Sequence, residues 1–157
     1  MPLETRRPID VEALRRRLPT RDASPPPEGA RTGAEAEGWL ALGGREIAAG
    51  AGRRATREEW RSPEHPDESL AIELVRCDSP EDALAALLER LDQDELAEIP
   101  PGPSELGHVS FAHPEGVPPA VYFVRGSVFV AVMSAGPRAA PALAWARRID
   151  ARLGSVG

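Results

Sequence analysis

The chain has no lysine, no asparagine, one cysteine and one tyrosine among its 157 residues. With Cys77 alone, an intramolecular disulfide and a thiolate zinc cluster are both excluded. All 19 basic residues are arginine. We read this as the imprint of GC-rich coding, because no arginine cluster is placed for bidentate pairing. No run of about 18 apolar residues occurs, so no segment reads as a membrane-spanning helix. Met1–Arg17 is charged where a secretory signal would be apolar. Two localisations fit: a cytoplasmic protein, or an exported one whose leader has been removed.

What is present is unevenly charged. Of the net charge of -6, the stretch 58–98 carries 14 acidic residues against Arg61, Arg76 and Arg90. A nucleic-acid binder needs a coherent basic face, and this acidic middle argues against one. The acidic stretch reads as a solvated face, with a docking surface for a basic partner as the sharper alternative.

Residues 1–31 read as a flexible arm or tether. Asp10 can cap a short helix through VEALRRRL, which Pro19 stops, and PTRDASPPPEGARTG is too poor in apolar residues to offset the entropy of ordering. Residues 32–157 read as a single α+β domain. Thr32 and Glu35 have capping-box spacing, which predicts a helix ending at Gly43-Gly44. REIAA and RATREEW read as short polar strands joined through GAG, and LAIELVRC as a strand with Leu70, Ile72 and Leu74 on one face.

Ser79-Pro80-Glu81-Asp82 combines a capping hydroxyl, a proline for the first turn and two acids at the positive end of the dipole, so DALAALLERL follows as a helix. HVSFAH and AVYFVRGSVFVAVMS give alternating strands, the latter pair a tight hairpin at Arg125-Gly126. Val128, Val130 and Val132 share one face, and Phe129, Ala131 and Met133 the other. Pro141 can open a last helix with Ala142, Trp145, Ala146, Ile149 and Leu153 as its buried stripe, Arg147, Arg148 and Arg152 outside, and Gly154 at its end.

The order β-β-β-α, β-β-β-α predicts a mainly antiparallel sheet of five or six strands with two main helices on one face, and raises an internal duplication. The Gly-interrupted first helix, the strand leading into SPEDALAAL, and the FVRGSVFVAV hairpin with its closing helix together resemble an uncharacterised bacterial family of exported proteins, a domain of unknown function. The resemblance spans about residues 32–153 and implies the same fold and export, with no catalytic signature attached.

Candidate sites are few. Gly50, Gly52 and Ala55 in EIAAGAGRRA have the G-x-G-x-x-A spacing of a dinucleotide-binding loop, but the preceding run is short and charged and no helix follows, so a glycine turn is the reading preferred. His108 and His113 fall on opposite faces of a strand, ill placed to share a metal. His65, with Glu64 and Asp67, lies in an acidic loop. Asp92, Asp94 and Glu95 lack the glycine and the later glutamate of a calcium loop and read as a helix end. Ser104 lacks a nucleophile elbow. Cys77 sits where the start of a helix could lower its pKa. Cys77, His108 and His113 are therefore the candidates, with no catalytic set, cofactor or metal assigned. The expected function is a non-enzymatic binding or accessory protein whose partner is another protein. A small-molecule or cofactor-binding protein with a pocket between sheet and helix is the alternative.

Overall fold

The computed structural model describes residues 9–19, 38–50, 52–94, 99–114 and 116–155. Six strands, β1 (Leu40–Ile47), β2 (Arg54–Arg61), β3 (Ser69–Arg76), β4 (Val109–Ala112), β5 (Ala120–Arg125) and β6 (Val128–Ser134), form one sheet in the order β1-β2-β3-β6-β5-β4. Every neighbouring pair is antiparallel. Among the described residues three helices accompany them: α1 (Val11–Arg15), α2 (Pro80–Gln93) and α3 (Ala142–Ser155). This is the α+β fold that the alternating strands predict.

The hairpin forms as its alternation demands, with its turn one residue later than Arg125-Gly126, at Gly126-Ser127. Arg125 pairs with Val128, and Gly126, with φ +59°, is the first of the two loop residues. A positive φ there matches the twist of the flanking strands, which is why a residue without Cβ stands at the turn. β3 and β6 lie at the centre of the sheet, with Ile72 opposite Val132 and Leu74 opposite Val130.

The core has two layers. On one face Leu70, Ile72 and Leu74 of β3 and Val128, Val130 and Val132 of β6 pack with Ala142, Trp145, Ala146 and Ile149 of α3. On the other, Val75, Phe129, Ala131 and Tyr122 pack with Ala83, Leu84, Leu87 and Leu91 of α2. The helices thus cover opposite faces, which corrects the expectation that they share one. The cause lies in the central strands: β3 and β6 are apolar on both faces, so each face needs a cover. Glu73, the one charged residue in the interior of β3, takes its partners from the α2 side.

The same placement removes the simplest form of the duplication. A two-fold axis perpendicular to the sheet would generate the observed strand order and make β3 antiparallel to β6, yet it would leave both helices on one face. The two β-β-β-α halves are therefore not equivalent in three dimensions.

Two further expectations change. The helix predicted from Thr32 to Gly43-Gly44 is replaced over its second part by β1, in which both glycines pair with β2 and the register shifts between Ala41 and Gly43; its first part, 32–37, lies outside the described residues. Pairing with β2 along the whole strand outweighs a helix that already contains Gly38. Within the segment read as a free arm, Asp10 does cap α1, accepting from Ala13 N at 3.1 Å. Leu18, however, is buried in the α2 layer, and Ile9 and Leu14 pack against it, so this portion contributes to the core. Residues 1–8 and 20–31 lie outside the described residues.

The two sheet edges differ. Pro100–Gly102 runs along β4, with Gly102 N donating to Ser110 O and Ala112 N to Pro100 O. β1 forms the opposite edge and is exposed along nearly its full length. Leu40 and Leu42, 48% and 52% accessible, are the only large apolar side chains exposed among the described residues.

Candidate functional site

The glycine loop and the start of α2 come together, but their chemistry is internal. Ser79 Oγ accepts from Asp82 N at 3.1 Å, as the capping sequence predicts. Asp82 also receives Arg53 through Nε and Nη2, the latter at 2.9 Å, and Arg53 reaches Glu89 at 2.8 Å. The pairing with Asp82 raises the Arg53 pKa and lowers that of Asp82. At Gly52, with φ +76°, a Cβ would lie 2.7 Å from Asp78 Oδ2. A pyrophosphate would need the positive helix terminus that Asp82 already occupies, and it would face Asp78. The loop joins two antiparallel strands, as a turn and not as a nucleotide cradle.

Cys77 is buried at the end of β3, its Sγ 3.9 Å from Val75 O. Burial first, then the Asp82 charge, pushes the thiol up to about 12. The direction is opposite to the one expected from the helix start, because desolvation and a neighbouring carboxylate outweigh the dipole.

The two histidines flank β4 and belong to different clusters. His108 Nδ1 accepts from Gly126 N at 3.0 Å. Burial, followed by the Arg125 charge, lowers its pKa, so a neutral ring accepting at Nδ1 is the state the fold uses. Beside it Asp150 of α3 binds Arg125 at Nε and Nη2 (2.7 and 2.9 Å) and Gly107 N at 2.9 Å. This knot ties the β5–β6 hairpin to α3.

His113 enters a tighter arrangement. Its Nε2 lies 2.8 Å from Asp94 Oδ2, and its Nδ1 3.0 Å from the carbonyl of Pro118. The Tyr122 hydroxyl donates to the same Asp94 Oδ2 at 2.6 Å and stands 3.1 Å from Nε2. The side chains of His113 and Asp94 are 14% and 16% accessible, so the triangle borders solvent. Burial and the bond to Asp94 push the tyrosine well above its usual range, so its phenol keeps its hydrogen. On the same face Glu73, nearly inaccessible, is held by Arg90 at 2.8 and 2.9 Å and by Arg57 at 3.4 Å.

Of the sequence candidates, His113 is the one whose ring lies within hydrogen-bond distance of two other polar side chains, Asp94 and Tyr122. Of its companions, Asp94 reads in the sequence only as part of a helix end, and no spacing links positions 94, 113 and 122. Ser104 lies in a turn where its carbonyl accepts from Arg17, and Glu64 and Asp67 are exposed in the loop that holds His65. Among the described residues no three His, Cys, Asp or Glu side chains converge on a metal position, and no helix is long and apolar enough to cross a membrane. Comparison of the chain with protein-family models, with curated proteins and with solved structures finds no match.

Proposed function

We propose that the protein is a non-enzymatic accessory subunit that binds another protein along the outer edge of β1, which no described strand pairs. The observation that carries the reading is the character of this strand: eight residues long, hydrogen-bonded on one side to β2, and bearing the half-exposed Leu40 and Leu42. An edge strand offers unpaired backbone donors and acceptors, and an extended segment of a partner satisfies them by adding a strand. Alternate side chains such as leucines then provide pockets or pegs for specificity. The irregular register at Leu42, with the charges of Arg45 and Glu46, disfavours pairing between identical edges. The occupant is accordingly a different protein.

The reading is tested with a photo-crosslinking residue placed at position 42, or at the exposed Glu81 on α2, in cells of the native host. A discrete adduct from position 42 that is missing from position 81 is the expected result. Adducts from 81 alone, or from neither, would contradict it.

A further inference from the structure

We propose that residues 99–106 form a fixed clip over the β4 edge, so that the sheet takes on a partner strand at β1 alone and each chain binds one extended segment. The count of one rests on the β1 reading; the clip stands on its own contacts. Its ends are rooted in different layers. Ile99 is buried in the α2 layer and Leu106 in the α3 layer, so the chain passes around the β4 end of the sheet from one face to the other. Between the roots, Ala112 N donates to Pro100 O at 3.1 Å and Gly102 N to Ser110 O at 3.0 Å. Ser110 Oγ donates to Pro103 O at 2.9 Å. At Gly102 a Cβ would lie 2.7 Å from Ser110 Oγ, and the lack of one lets the clip lie close on the strand. A segment anchored in two layers leaves only when both open.

What the clip turns outward is poor in donors. Pro101 stands opposite Phe111, between the two backbone bonds to β4, so its own backbone faces away from the strand. Proline has no N–H, and a strand arriving there finds a carbonyl without a donor beside it. The pairing cannot run on, because Leu106 N donates to the Pro103 carbonyl at 3.1 Å and the chain turns. β1 differs in each respect. It has eight residues, LALGGREI, none of them proline, and no described strand pairs its outer side. A sheet that received strands at both ends would let contacts repeat into open chains; one sealed end closes the assembly after a single segment.

Three measurements test the clip and separate it from the β1 reading. In the wild-type protein, hydrogen exchange at the Gly102 and Ala112 amides should run about a hundredfold or more below the rate of an unstructured chain. Exchange near the unstructured rate while Val130 stays protected would mean that the clip lifts, and overturns the proposal. Pro101→Val supplies the missing donor and leaves both roots and Gly102 in place. Set in a Leu40→Arg/Leu42→Arg background, where β1 is blocked, it should give a mass by sedimentation equilibrium that rises with concentration, whereas the background alone keeps one mass. Equal behaviour overturns the role given to Pro101; if Pro101→Val does not fold, the exchange result decides. Last, a photo-crosslinking residue at Ser104, exposed on the clip, should give no adduct in cells of the native host where position 42 gives one. An adduct from 104 overturns binding at one end. Adducts from neither position remove the β1 reading and with it the count of one, and the first two measurements still decide the clip.

Discussion

Truncation of Ile149 to alanine probes the layer on which the fold most depends. Ile149 is buried on α3 among Val128, Val130 and Val132 of β6 and Trp145 of its own helix. The change removes three carbons, worth about 0.8 kcal/mol each in transfer, and the rigid valine strand opposite cannot close the space left. A loss of about 3 to 4 kcal/mol follows, a large share of the roughly 5 to 15 kcal/mol that holds a domain together. The assay is urea denaturation followed by tryptophan fluorescence, in which the midpoint falls at unchanged slope. Arg148→Ala is the control. It stands on the outer side of α3, but its guanidinium lies 4.8 Å from the centre of the Trp145 ring. Sequence alone predicts an effect under about 0.5 kcal/mol for an outward side chain; the ring contact raises this to about 0.5 to 1 kcal/mol. Equal losses, or a larger one at 148, would refute the helical phase and with it the α3 layer.

Three further outcomes are expected. Glu73→Ala leaves Arg90 and Arg57 without their shared carboxylate; because both keep some contact with water, the loss is about 2 to 3 kcal/mol by chemical denaturation, below the range for a wholly buried pair. Since burial holds His108 below its ordinary value of 6.5, the neutral ring's contribution is complete above that value and is lost as the pH falls beneath it. His108→Asn therefore flattens the acid limb of a stability–pH profile. Finally, with its thiol pushed up to about 12, Cys77 resists iodoacetamide in the native protein and reacts on unfolding; rapid native labelling at neutral pH would contradict the buried environment.

Local patterns carried most of the fold. The period-2 runs of β5 and β6, the cap at Ser79-Pro80 and the stripe of α3 each express a short-range rule, and the pairing of Val128, Val130 and Val132 with Trp145 and Ile149 follows from them. The side of the sheet taken by each helix does not, because it depends on which face of an all-apolar strand each connection crosses. The first part of β1 was hidden for a different reason: LALGG has neither alternation nor a β-branched residue, and its pairing with β2 makes it a strand continuous with the REI that already reads as one. The His113 triangle is likewise tertiary. It joins a helix end, a strand end and a strand interior that no window of sequence contains.

The measurement that bears most directly on the proposed binding role is quantitative co-purification from the native host with wild-type protein and with a Leu40→Arg/Leu42→Arg double variant. Both side chains are half exposed on an edge strand, so the double variant should melt within a few degrees of the wild type. The account predicts a partner enriched by the wild type and lost, about tenfold or more, from the variant, as expected when some 1.4 kcal/mol or more of contact is removed. An equally folded variant that retains the partner in full would contradict docking along β1.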